Sequence, residues 1–477
     1  MFKIKPRLRS KPRERYLFTS RHKKNRQKKF TLFWVLVSGV LSILVLELVT
    51  RIFIDITGQR AQFTEQQPDV TIEDTYQLQF VSEEALTEDP EPVGLKAKRA
   101  LSVGYQLLGS QSSPYWQINQ QGFRDSEPIS VTKPPGEIRI FILGSSTAFG
   151  YGSGSNEAAI AEVLEARLAQ RLQQQKTSPQ AYKPDILPAD PTARATALKK
   201  PAKLKPANYR VINAAVPGYT SGNQLAQLAL EVTKYQPDLI VVLNGYEDLM
   251  LSGQETATQI PQPQEYLDNA PSYMVALLNR WLEPIQGKSY VVQILQNSIL
   301  EPADPTQETL IVGTKTGQKL AAITPQDPTE LQRRIDRYFA NHQQIVNLAK
   351  GANAKVILAT QPEITGRNPS KLTPTEGEIV TQLGRKYIKA IKDNYPRFVG
   401  ANNYVAKLYP QQVKSLNLYN LSDKYPSPSF TDAVHLTEPA NAMVAEQLYY
   451  AIASFNHLQL VPKEAPKPKK IEEKVDG

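Results

Sequence analysis

Two stretches of this chain, IRIFIL at 138–143 and LIVVL at 239–243, are almost unbroken apolar runs, and each ends in a polar, glycine-containing loop. A strand open to solvent on one side alternates apolar and polar residues; a continuous run belongs to a strand covered on both faces. Something must supply the two covers, and the chain offers helices in turn. After the first run, NEAAIAEVLEARLAQRLQQQ (156–175) has the composition and spacing of an amphipathic helix, with Asn156 as its cap. YRVINAAVPG (209–218) reads as a strand, SGNQLAQLALEVTKY (221–235) as a helix and PDLIVVLNGYEDL (237–249) as a third strand. A helix is expected over 331–352, a strand over 354–362, and helices near 374–393 and 437–455. Strand, loop and helix in repetition predict an α/β domain with a central parallel sheet and helices on both faces, three layers in all. Ligands of open parallel sheets bind outside the carboxyl ends of the strands. The loops after 143, 216 and 243 therefore put Ser145, Ser146, Gly218, Gly245, Glu247 and Asp248 around one crevice.

The next constraint lies upstream. Residues 30–50 read FTLFWVLVSGVLSILVLELVT, about the 20 residues a helix needs to span a hydrocarbon core. Glu47 is its one charge, near the far end, and Trp34 sits toward the basic end, where aromatic belts belong. Residues 1–29 hold 13 Lys or Arg against the single acid Glu14, so a chain of net charge +10 is about −2 outside this arm. The positive-inside rule keeps such an arm in the cytoplasm and puts the chain beyond about residue 52 outside. The run is long for a signal peptide and no A-x-A-like site comes after it, so a retained signal anchor is expected. The chain then reads as a single-pass inner-membrane protein with an extracytoplasmic or periplasmic main domain. That domain, close to neutral, offers no basic face for nucleic acid.

The expected organisation is a basic cytoplasmic arm at 1–29, a transmembrane anchor at 30–52, a stalk and N-terminal extension at 53–135, and the α/β domain at 136–460. Within the extension, 113–129 looks the more ordered part. Residues 176–208 are rich in Pro, Lys and Ala, bury little by composition, and read as a disordered insert. Residues 251–325 interrupt the strand–helix scheme as a possible lid, and 461–477 read as a disordered tail.

The chain has no cysteine, which excludes disulfides, thiolate metal sites and a Cys nucleophile. The carboxylates are scattered, no His pair has ligand spacing, and no phosphate-cradling Walker loop is present. No metal and no cofactor are expected. A mechanism with a histidine base has to choose among His22, His342, His435 and His457.

Four short blocks stand in a set order over about 137–457: GSST (144–147), NAAVPGYT (213–220), GYED (245–248) and DAVHLT (432–437). Together they resemble the blocks of the SGNH, or GDSL-type, hydrolases. With Phe123, Arg124 and Glu127 in an F-R-x-x-E stretch upstream, the chain looks most like membrane-anchored bacterial members. The resemblance implies a flavodoxin-like, three-layer SGNH-hydrolase fold preceded by one transmembrane helix. It implies Ser146 as nucleophile, His435 as base and Asp432 as the carboxylate that orients the imidazole. The backbone N–H groups of Ser146 and Gly218 would meet the oxyanion. The implied substrates are ester or acyl groups on a lipid or glycan of the cell envelope, handled by an esterase or an acyltransferase. The alternative is a catalytically impaired binding or assembly module on the same fold.

Two departures stand out. Ser145 occupies the place of the family's Asp, which is not a triad member. Glu247 stands where the family has an Asn that donates N–H to the oxyanion, and an ionised carboxylate only accepts. Three compensations are open: burial keeps Glu247 protonated, a cation such as Arg124 pairs with it, or Asn244 serves as the substitute donor.

Overall fold

The computed structural model describes residues 37–38, 41–42, 44–49, 71–80, 94–100, 103–253, 317–424 and 428–464. The chain divides into two compact units, Met1–Pro68 with Ala270–Asp304, and Asp69–Asn269 with Pro305–Gly477. In the first unit the described residues, all between 37 and 49, are helical, and their apolar side chains are exposed, Leu41 by 62% and Leu44 by 59%. Among the described residues no helix is long and apolar enough to cross a membrane. The expected arm at 1–29, most of the anchor at 30–52, most of the lid at 251–325 and most of the tail at 461–477 lie outside the described residues.

The second unit carries ten described strands: β1 (Leu78–Phe80), β2 (Leu95–Ala100), β3 (Gly104–Leu107), β4 (Gln111–Ser112), β5 (Gln117–Ile118), β6 (Glu137–Gly144), β7 (Asn208–Asn213), β8 (Leu239–Asn244), β9 (Lys355–Thr360) and β10 (Val413–Asn417). Five form a wholly parallel sheet in the order β10-β9-β8-β6-β7. The apolar runs are its middle, with Ile140 through Leu143 and Leu239 through Leu243 fully buried.

Alternate residues of these strands enter two separate cores. Ile140, Ile142, Val241 and Ile357 join one core with Leu164, Leu448 and Tyr395. Those three come from helices α1 (Ile160–Thr177), α5 (Glu438–Ala453) and α4 (Pro374–Leu408). Phe141, Leu143, Val242 and Leu358 join the other core. There they meet Leu228 and Val232, just past α2 (Ser221–Gln227), and Ile345 and Val346 of α3 (Pro328–Gly351). A sheet covered on both faces by helices is the three-layer arrangement that the runs demanded.

Several boundaries differ from expectation. The cap of α1 is Ala159 rather than Asn156, whose Oδ1 instead accepts from Gln117 N and Arg124 Nε. α4 extends to Leu408 and breaks at Gly384, which sits at φ 76. Residues 176–208, expected to be disordered, hold a helix at Pro191–Lys199 and bury Leu187 and Leu204. Few apolar residues suffice because backbone bonds do the rest: Leu187 N–H donates to Lys463 O, and Leu460 N–H to Lys203 O. The extension is likewise no bare stalk. Tyr76 and Trp116 are buried, and the hydroxyls of Tyr76 and Tyr105 donate to Ser153 O (2.5 Å) and Pro217 O (2.6 Å).

Candidate active site

β6 delivers the chain to the crevice at Gly144, where a Cβ would collide with the Leu243 carbonyl and Ala148 Cβ. The chain turns at once into a one-turn helix, Ser146–Phe149. Ser146 opens it, is 1% exposed, and has a buried Oγ with no hydrogen-bond partner.

His435 arrives from the loop before α5. There Asp432 Oδ1 accepts the backbone N–H of Val434 (2.9 Å) and of His435 (2.7 Å), while Oδ2 meets His435 Nδ1 at 2.5 Å. One carboxylate both folds the loop and aims the ring. Burial works against its ionisation, but the His435 ring and the two N–H groups outweigh it and hold the carboxyl below its ordinary range. An ionised Asp432 puts the imidazole proton on Nδ1 and leaves Nε2 as an acceptor. Nε2 is buried and without a partner. Tyr151 stacks on the ring, with centroids 4.3 Å apart and planes at 16°. Behind the loop, Glu376 Oε1 accepts Ser429 N–H at 2.8 Å, and Arg367 reaches both Glu376 and Ser429 Oγ.

Ser146 Oγ and His435 Nε2 are not hydrogen-bonded to each other. Their neighbours in sequence are tied: Thr147 Oγ1 donates to Val434 O at 3.2 Å and accepts from Gln361 Nε2 at 3.1 Å. The two loops are thus joined next to the two unpartnered atoms. Nucleophile–base contacts are commonly loose without substrate and tighten with it.

Gly218 adopts φ 85, a conformation L side chains rarely take, and its N–H donates to Ser145 Oγ at 2.9 Å. Ser145, fully buried, is hydrogen-bonded in turn to the Glu247 carboxyl. Glu247 is 4% exposed, and its Oε2 is buried with no partner. Burial, helped by the charge of Asp248, pushes its pKa up to about 7 against the pull of Ser145, its own backbone N–H and His435.

The other two compensations do not form. Arg124 spends its guanidinium on Asn156, Tyr76 and the carbonyls of Phe149, Gly150 and Ser155. Asn244 points its amide nitrogen at Gln224 (2.6 Å) and His342 (3.1 Å), and its oxygen accepts from Tyr338. Asp248 is engaged by the N–H (2.9 Å) and hydroxyl of Ser221. Of the crevice residues, Ser145, Gly218 and Glu247 are therefore linked and Asn244 is not. Tyr151, Thr147 and Gln361 escaped the sequence reading, since nothing in their local pattern marks them.

Among the described residues no group of three or more His, Asp or Glu stands close enough to hold a metal. A polar cavity of about 250 Å³ is lined by Val216 and Tyr219, on either side of Gly218, but not by Ser146 or His435.

Residues 140–448 match the family described as GDSL-like Lipase/Acylhydrolase. The chain belongs to that family. It is a serine ester hydrolase of the SGNH type. Among solved structures, this acylhydrolase is similar to a catalytic mutant of Axe2, an acetylxylan esterase from Geobacillus stearothermophilus, at 11% identity over 68% of this chain and 96% of that one, with a TM-score of 0.33. It is similar to TesA at 14% identity over 66% and 97%, with a TM-score of 0.30. A lipolytic protein of the G-D-S-L family from Desulfitobacterium hafniense DCB-2 aligns at 12% identity over 65% and 98%, with a TM-score of 0.30. None of the curated proteins compared with the acylhydrolase matches it.

Proposed function

We propose that this acylhydrolase is tethered to the inner membrane by residues 30–52, faces the outer compartment, and acts on ester or acyl groups of envelope lipids or glycans. Ser146 Oγ attacks the carbonyl carbon while its proton passes to His435 Nε2. The imidazolium, steadied by Asp432, returns the proton to the leaving alcohol, and water or an acceptor hydroxyl takes the acyl group. One observation carries the catalytic part: Asp432 holds His435 so that an unpartnered Nε2 and an unpartnered Ser146 Oγ are buried on two loops strapped together by Thr147 and Val434. The basic arm and the exposed apolar helical residues at 37–49 support the tether.

The test is turnover of p-nitrophenyl acetate by the full chain in detergent. Ser146→Ala should lower kcat by roughly 10³-fold or more. A variant as active as the wild type would end the reading. A second reading, a binding or assembly module, is favoured by the carboxyl at Glu247. Wild-type protein without turnover, gaining it in Glu247→Asn, would speak for that one.

A further inference from the structure

Glu247 places a carboxyl where the family has an amide donor, and burial outweighs the few groups that favour its anion. Its neighbours, element by element, are few. Ser145 lies on the turn after β6, and its hydroxyl accepts from Gly218 N–H, so its own proton is left for Glu247. Asp248, on the same short helix, carries like charge and is engaged by Ser221. Tyr105 from the extension donates its hydroxyl to Pro217 O, Tyr395 of α4 donates to Gln361 O, and Tyr246 accepts from Tyr387. His435 is the remaining charged neighbour, and only when protonated. None of the strongest influences on this carboxyl comes from a Lys or Arg.

One carboxyl oxygen stands out. The partner-free atom is Oε2, while the Ser145 hydroxyl bears on the other side of the carboxyl group. A carboxylate oxygen buried without a hydrogen-bond donor is the costlier state, so burial favours the neutral acid with its hydrogen on Oε2. A hydrogen there is buried with nothing to bond among the described residues. Buried donors without acceptors cost free energy and are uncommon outside functional sites.

We propose that Glu247 is a catalytic residue in its neutral form, its Oε2–H donating to the oxyanion formed when Ser146 adds to an ester carbonyl. This rests on the serine-hydrolase reading above and extends it. As the Ser146 Oγ–carbon bond forms, the hydroxyl proton moves to His435 Nε2 and the carbonyl π pair moves onto oxygen. That oxygen accepts the Glu247 hydrogen bond, and no proton leaves Glu247. The donor exists only while Glu247 is protonated, whereas the base requires His435 neutral. The rate should fall as Glu247 loses its proton. An amide donor at this position does not titrate and would bring no such alkaline limb.

The experiment is kcat/KM for p-nitrophenyl acetate from pH 5 to pH 9, with the full chain in detergent, for wild type, Glu247→Gln and Glu247→Leu. Wild type should lose about tenfold per pH step above its maximum. Glu247→Gln, with a donor that does not titrate, should hold a plateau to pH 9. Glu247→Leu should fall roughly 10²–10³-fold below the wild-type maximum without an alkaline limb. A merely structural Glu247 moves the height of the profile and not its shape. A wild-type rate that is flat or rising from pH 7 to pH 9 overturns the proposal even if neither variant folds. So does a Glu247→Gln profile that keeps the alkaline limb. Absence of turnover at every pH in wild type and Glu247→Gln alike overturns the hydrolase reading itself, whereas turnover with an unchanged limb overturns only the role of Glu247.

Discussion

Asp432 does three things with two oxygens: it takes two backbone N–H groups of its own loop and the Nδ1 proton of His435. Asparagine can do the first two through its carbonyl oxygen, but its amide nitrogen would face Nδ1 and favour the wrong tautomer. Asp432→Asn is therefore expected to keep its fold by circular dichroism and lose roughly 10³–10⁴-fold in kcat. Loss below threefold would remove Asp432 from the orienting role. At this scale the sequence was legible where chemistry dictates spacing, as in a carboxylate three residues before an imidazole. It was silent where the partners are far apart. The chain from Gly218 through Ser145 to Glu247 joins three loops, its first two members 73 positions apart, and no local pattern announces it. Tyr151, stacked on the His435 ring, is equally unmarked.

Elements with one dominant force were readable: β6 and β8 from continuous burial, α3 from its apolar stripe. β10 was missed because VKSLN on a sheet edge is only partly buried and looks like a loop. Residues 176–208 misled for the opposite reason. Their composition is that of a disordered segment, yet Leu204 is fully buried, and Gln175 bonds its backbone on both sides, accepting from its N–H (2.8 Å) and donating to its carbonyl (3.1 Å). Such a segment depends on its few anchors. Leu204→Ala should cost about 2–5 kcal/mol, read as a lower denaturation midpoint with protease cleavage rising first within 176–208. Unchanged cleavage there would mean that backbone pairing alone holds the segment.

For the molecule as a whole, charge and hydropathy at the N-terminus argue for the tether. The full chain should sediment with membranes and resist carbonate extraction, while a chain lacking residues 1–52 should be released. Recovery of the full chain in the soluble fraction would refute the anchor. Protease added to intact spheroplasts should reach the sheet domain and leave the basic arm protected. One long-range contact constrains the order in which that domain assembles. Lys463 and Leu460 pair with backbone of the 176–208 segment, so the chain's closing clasp is made long after the part it fastens. A nascent chain must be synthesised through residue 463 before this seam can shut. Trimming even the last residues of the clasp to tidy a C-terminal fusion would unlatch a region that lies distant in sequence.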